Sequence, residues 1–265
     1  MHPMLNTAVK AARGAGNVIM RHLDQLERLT VESKGLKDYV SEVDRMAEAE
    51  ILRVLQYAYP NHAILAEETG QHAGDDYQWI IDPLDGTTNF LHGFPHFAVS
   101  IALKHGDKLE QAVVFDPVRN ELFTSTRGQG AHLNDRRIRV SRVKELEYAL
   151  LGAGFPFRSH DHLEIWINTL RDLMVHTSGI RRAGSAALDL AHVACGRYDG
   201  YWEFGLHPWD IAAGCLLVQE TGGLVGDFAG GQNFLVSGNI IAGNPKIFAE
   251  ILRHITPHLT TELKC

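Results

Sequence analysis

The sequence predicts a mixed chain, α+β overall with α/β character in its C-terminal half, and three observations lead there. Two stretches near the start repeat apolar residues at helical spacing. The middle alternates short apolar runs with Gly, Pro and Asn turns, the pattern of an antiparallel meander. Beyond about residue 141, strand-like and helix-like segments alternate, which suits helices layered on a sheet. The 265 residues suffice for one large domain or two closely packed ones. No linker separates them, so 1–140 (helices plus antiparallel sheet) and 141–265 (α/β layer) are expected to form one compact unit.

The elements follow in order. Leu5, Val9, Ala12, Gly16, Ile19, Met20, Leu23 and Leu26 predict an amphipathic helix over 4–28. A second helix is predicted over 42–57, with Ser41 as N-cap, Asp44 three residues on, and Pro60 ending the region. Residues 63–67 and 78–82 are short apolar runs that end in acid and read as strands. Strands over 97–104, 111–115 and 121–125 are separated by turns, among them Asp116-Pro117-Val118-Arg119-Asn120 and Arg127-Gly128-Gln129-Gly130. Then come a strand over 148–152, a helix over 161–174 and a Ser185-capped helix over 186–195. A strand over 200–203 follows. A helix over 209–220 starts behind Pro208 and is closed by Gly222-Gly223. A strand over 239–242 and a helix over 246–254 complete the chain.

Composition narrows the function. Hydrophobic residues make up 45% and charged residues 22%, an ordinary globular balance. No apolar run approaches the roughly 20 residues of a membrane span, and the start lacks the basic region and apolar core of a signal peptide. A cytoplasmic protein is expected. Cys195, Cys215 and Cys265 form no CxxC pair, so neither a disulfide framework nor a zinc-thiolate site is expected; Cys195 and Cys215 read as buried free thiols. A net charge of −7 carries no strong nucleic-acid signal, since phosphate contacts need Lys and Arg. The same charge ill suits an anionic substrate unless something local reverses the field.

Asp82-Pro83-Leu84-Asp85-Gly86-Thr87-Thr88 is the stretch that carries chemistry. Two acids on a Pro-stiffened turn repel unless a cation lies between them, and carboxylates plus the Leu84 carbonyl are ligands that Mg²⁺ selects. Alone, the Asp-Pro pair reads more readily as an Asx-type turn. The longer stretch is far more specific. Gly86 lets backbone approach a ligand, and the N–H groups that follow can cradle an anion. If strands 63–67 and 78–82 lie side by side, Glu67 and Asp82 reach the same end. Glu68 then points elsewhere, supporting the site from behind. Asp210, in the first turn of its helix, is either a favourable helix-start acid or a distant ligand of a second metal. Asp44 is either a cap or a base partner that shares the nucleophilic water with Thr87. Lys34 is either a solvated loop residue or a contact to phosphate or a metal-bound water. No Cys-x5-Arg phosphatase loop is present, and the histidines are scattered.

Five separated blocks together resemble the inositol monophosphatase family. They are Asp38-Tyr39-Val40-Ser41-Glu42-Val43-Asp44, Glu67-Glu68, the run from Trp79 to Phe90, Gly184-Ser185-Ala186-Ala187, and Trp209-Asp210-Ile211-Ala212-Ala213-Gly214. They occur in family order across nearly the whole chain. Arg119-Asn120-Glu121-Leu122-Phe123 and Thr126-Arg127-Gly128-Gln129-Gly130 look particularly like bacterial members of the extragenic-suppressor type. The resemblance implies a layered αβαβα sandwich of the sugar-phosphatase type, a homodimer, lithium inhibition, and two or three Mg²⁺ ions. It implies that Glu67, Asp82 and the Leu84 carbonyl hold one ion and that Asp82, Asp85 and Asp210 hold another, with Glu67 sharing a weaker third. Gly86 and Thr87 would bind phosphate. Ala186, Glu203 and Asp210 would face the inositol ring, with Arg181 as a substrate-side arginine. The implied reaction is hydrolysis of myo-inositol 1-phosphate by an activated water. The alternatives are a sister phosphatase for fructose bisphosphate, a nucleotide 3′-phosphate, NADP or histidinol phosphate, or a partner of RNA polymerase and transcription antitermination factors.

Overall fold

The computed structural model describes residues 2–28, 31–35, 38–156 and 161–264, with side chains outside 28–41 and 264. The expectations for Lys34 and for Ser41 as a cap lie outside those described side chains.

The first helix, α1 (Pro3–His22), starts on Pro3 with His2 capping the Met4 N–H, and buries a face of Ala8, Ala11, Ala12, Ala15 and Gly16. Small residues let it sit close to the sheet: a Cβ on Gly16 would stand 2.6 Å from the Phe115 ring. The predicted helix over 4–28 is shorter than expected, because the chain tightens into a 3-10 turn at Leu23–Arg28 with Gln25 out of helical geometry. Next come β1 (Val31–Gly35), β2 (Asp38–Ser41), α2 (Glu42–Ala58), β3 (Ala63–Ala66), β4 (Gly70–His72), β5 (Tyr77–Asp85) and the short α3 (Thr87–Leu91). Then β6 (Ala98–His105), β7 (Lys108–Asp116), β8 (Glu121–Thr126), β9 (Gly130–Leu133) and β10 (Arg136–Arg137) form the meander. The rest runs β11 (Leu150–Ala153), α4 (Leu163–His176), β12 (Gly179–Arg181), α5 (Ala186–Ala194), β13 (Gly200–Glu203), α6 (Pro208–Glu220), β14 (Leu224–Gly226), α7 (Phe234–Ser237), β15 (Ile240–Gly243) and α8 (Pro245–Ile255).

Two sheets organise these elements. The eight-stranded sheet has the order β10-β9-β8-β7-β6-β5-β3-β4, and the five-stranded sheet the order β12-β11-β13-β15-β14. Helices α1 and α2 cover one face of the first sheet, burying Val43, Ile51 and Leu55 against Trp79, Ile81 and Val113. Helices α5 and α6 fill the space between the sheets, where Leu190, Ile211 and Leu216 join Ile80, Val114, Tyr201 and Ile240 in one core. Helices α4 and α8 close the outer face of the second sheet, where Ile251 of α8 packs with Trp202 and Ile241. The result is five layers, α-β-α-β-α. Helix α6 is apolar all round because both flanks are buried, from Asp210 to Val218. Gly214 permits its close crossing with α5, since a Cβ there would collide with Leu190. Cys215 is buried as expected, whereas Cys195 is only half-buried. Among the described residues no helix is long and apolar enough to cross a membrane.

Candidate active site

Strand pairing delivers the first acids. β3 and β5 run parallel with Ala66 opposite Ile81, and the Glu67 N–H continues the ladder to the Ile81 carbonyl at 3.1 Å. Glu67 and Asp82 therefore leave the same end of the sheet. The register of β5 against β6 slips between Asp82 and Asp85, where Pro83 offers no N–H. The Asp82 carboxylate accepts from the Leu84 N–H at 3.0 Å, fixing this irregular turn. Gly86 follows at φ 97°, the left-handed region, and a Cβ there would lie 3.0 Å from the His96 carbonyl and 3.2 Å from that of Gly184. Only glycine meets both conditions.

The second half of the chain closes the site. The N-terminus of α5 holds Asp85: the Ser185 hydroxyl donates to Oδ2 at 2.6 Å and the Ala187 N–H to the same oxygen at 2.7 Å. Asn89 ties α3 to the opposite wall, donating to the His96 carbonyl at 2.7 Å and the Ala183 carbonyl at 2.9 Å. Asp210 accepts from the His207 N–H at 2.6 Å, so it caps α6 and lines the cavity at once. Behind the site the Thr87 hydroxyl lies 3.0 Å from Asp44 Oδ1 and 3.1 Å from the Leu84 carbonyl.

These groups surround one cavity of about 440 Å³. Glu67, Asp82, Leu84, Asp85, Gly86, Thr87, Ala186, Glu203 and Asp210 all line it; Asp44 stands behind Thr87, and Glu68 lies outside the lining. Arg181 does not line it. Its guanidinium donates to its own neighbour, the Ile180 carbonyl, while Arg182 lines the cavity and stacks over Phe155 at 4.6 Å. Arg181 is the last residue of β12 and Arg182 the next along the chain.

Three further residues were not foreseen. Glu48 is buried on α2 and accepts from the N–H groups of Glu68 and Thr69, both at 2.9 Å, pinning the turn that presents Glu67. Its signal was available: Asp44 and Glu48 stand four residues apart within the apolar stripe of α2. Asp189 lines the cavity at 2% exposure, with Oδ1 unpartnered. Tyr201 donates its hydroxyl to Glu203 Oε2, and Gly154 makes room, since a Cβ there would collide with the Glu203 carboxylate.

The electrostatics are those of crowded acids. Burial pushes Asp82 well above the usual carboxylate range, and Glu67, Asp85 and Asp210 push it further. Burial, then Asp210, raises Asp85 to about 7 against the hydrogen bonds from Ser185 and Ala187. Burial also raises Glu203 to about 7, opposed by the Tyr201 hydroxyl and Arg182. Among the described residues, six acids line the cavity against a single arginine, Arg182. An all-oxygen donor set on this scale fits hard divalent cations such as Mg²⁺.

The chain is similar to known proteins over its whole length. The profile described as "Inositol monophosphatase family" matches residues 1–260. A relative from Pseudomonas aeruginosa, named "Nus factor SuhB", is 58% identical over 270 residues, covering 100% of both chains. The crystal structure of the extragenic suppressor protein suhB from Bartonella henselae superposes with a TM-score of 0.95 at 45% identity, over 97% of this chain and 100% of that one. An inositol monophosphatase from Anabaena gives 0.86 at 38% identity, over 98% and 97%. With the layered fold, the paired acids of β5 and the full-length match in agreement, this chain belongs to the inositol monophosphatase family.

Proposed function

We propose that the chain is a Mg²⁺-dependent phosphomonoesterase that hydrolyses myo-inositol 1-phosphate or a closely similar polyol phosphate. One observation carries this reading. Glu67, Asp82, Leu84, Asp85 and Asp210 line the same cavity as Ala186, Glu203 and Asp189. The first set suits cations and a phosphate; the second suits hydroxyl groups, because carboxyl groups both accept and, when protonated, donate.

Two or three Mg²⁺ ions would be held by Glu67, Asp82, Leu84, Asp85 and Asp210. When bound, such ions neutralise phosphate charge, activate a water and stabilise the departing alkoxide. The chain's own groups do the rest. Gly86 and the first N–H groups of α3, unpaired within the helix, face the phosphate oxygens. The Thr87 hydroxyl accepts a hydrogen bond from the attacking water while passing its own proton toward Asp44. Asp85, locked by Ser185 and Ala187, couples the two halves of the site. Glu203 and Asp189 receive the ring hydroxyls, and Arg182 offsets their charge.

Phosphate release from myo-inositol 1-phosphate is the test. We expect turnover with Mg²⁺, none with chelator, and inhibition by Li⁺. Release from none of a panel of sugar, inositol and nucleotide monophosphates at any Mg²⁺ concentration would end the phosphatase reading; preference for another ester would move it to a sister activity.

A second reading has its own support, in the full-length likeness to proteins named Nus factor. On it, the chain, as a homodimer, also joins RNA polymerase and antitermination factors through its outer surface. The expected result is that Asp85→Asn, strongly slowed toward phosphate esters, is still retained by those factors. Failure of both the parental chain and the Asp85→Asn variant to be retained would remove this role.

A further inference from the structure

The histidines that look scattered in sequence meet at one place far from the acidic cavity. Asp172 and His176 sit four residues apart near the end of α4, and His254 and His258 sit four apart at the end of α8 and the 3-10 turn after it. Four-residue spacing puts each pair on one helix face. The two faces meet on the Asp172 carboxylate. His254 Nδ1 is 2.9 Å from Oδ1, His176 Nδ1 is 3.1 Å from the same oxygen and 2.7 Å from the Asp172 backbone carbonyl, and His258 Nε2 is 3.0 Å from Oδ2. The His176 and His254 rings approach to 4.6 Å between centroids.

We propose that Asp172, His176 and His254 form a binding site for a borderline transition-metal ion, Zn²⁺ being the type, that clamps α4 to α8. Their ligand atoms lie within 4.8 Å of one another. Donors around a tetrahedral zinc stand roughly 3.4 Å apart, given bonds of about 2.1 Å, so a small rotation closes the set. His176 can make it, since its side chain is 51% exposed, whereas His254 is 10% exposed and fixed by packing. Exposure of His176 also gives the ion a way in from solvent. His258, on the second carboxylate oxygen, either orients that carboxylate or supplies the fourth ligand.

The chemistry separates this site from the cavity. Imidazole nitrogens with one carboxylate select zinc, nickel, cobalt or copper, whereas the all-oxygen cluster around Asp82 selects magnesium. Binding replaces the proton now shared between His254 Nδ1 and Asp172 by the ion. Arg253, which approaches His254 Nε2 at 2.9 Å, keeps its partner Glu250 and frees that nitrogen to carry a proton. The consequence is mechanical: the ion ties together the two helices of the outer layer. Trp166, on α4, packs at 4.8 Å against Phe155 of the cavity wall.

Cobalt is the probe, titrated into the full chain in excess Mg²⁺ while visible absorption is followed. The parental chain and Asp85→Asn should both gain one equivalent of intense tetrahedral Co²⁺ bands that zinc abolishes. His176→Ala should weaken binding at least about tenfold, and His254→Gln should remove the bands. Zinc at about a hundred times its dissociation constant should raise the melting temperature of the parental chain by about 5 °C, shift His176→Ala by no more than about half of that, and leave His254→Gln unmoved. Metal-free melting curves show whether the variants fold; if His254→Gln does not, the exposed His176→Ala decides alone. Bands absent from the parental chain, retained in the histidine variants, or lost only in Asp85→Asn would make the cluster a hydrogen-bonded knot and nothing more.

Discussion

Asp85→Asn should release phosphate about a hundred to a thousand times more slowly than the parental chain while folding normally. The asymmetry follows from how the carboxylate is used. Oδ2 takes the Ser185 hydroxyl and the Ala187 N–H, and asparagine keeps one oxygen for those bonds. What it loses is the charge it presents to a cation and to Asp210. Stability tells the same story from the other side. Asp85 stands at about 7 when folded and near 3.8 when unfolded. Between those values the native chain holds a proton that the unfolded chain has released, so its contribution to stability falls as pH rises from about 4 to 7. The loss is on the order of a few kcal/mol for so buried a group. An asparagine at this position does not titrate. In chelator, the parental chain should therefore lose stability relative to the asparagine variant across that interval. Mg²⁺ should remove most of the difference by taking the proton's place, and its affinity should rise with pH up to about 7. Calorimetry from pH 5 to 8 with and without Mg²⁺ measures this. Near-parental turnover in the variant, or a parental chain that gains on it with rising pH in chelator, would contradict the assignment.

Much of this arrangement was legible before any coordinates, for physical reasons that differ from element to element. Helix α2 announces itself through periodicity, and α5 through its Ser185 cap. The apolar runs ending at Glu67 and Asp82 need only lie side by side to bring two acids together, and β3 and β5 do. The short elements β1, β2, β4, β12, β14 and α7 were not foreseen, because segments of three to five residues are fixed by their pairing partners and carry no period of their own. That Arg182 lines the cavity is not marked in the sequence, where it follows another arginine. Asn89 bridges to residues 183 and 184 across the chain, and no local pattern marks such a bond. The Asp172 cluster joins α4 to α8 across about 80 residues, so spacing along the sequence hides it.

The largest effect from a neutral residue should come at Thr87. Its hydroxyl has one proton and two oxygen neighbours, Asp44 Oδ1 at 3.0 Å and the Leu84 carbonyl at 3.1 Å. It donates to one of them at a time, and a lone pair remains for a water in the cavity. Asp44 is 1% exposed, so a proton moved toward it enters a place that bulk water does not reach. Thr87→Val keeps the shape and deletes the relay. The expected result is a fall in kcat of about a hundred- to ten-thousandfold with KM little changed, and recovery of most of the rate in Thr87→Ser. The valine variant also takes one donor from a buried carboxylate, a stability loss of about 1–3 kcal/mol. Asp44→Asn should reproduce the kinetic loss. Because the two groups act as one unit, the double variant should be scarcely slower than either single one and more stable than Thr87→Val alone. Fully multiplicative losses would mean that Thr87 and Asp44 act separately, and a rise in KM at unchanged kcat would reduce Thr87 to a phosphate contact.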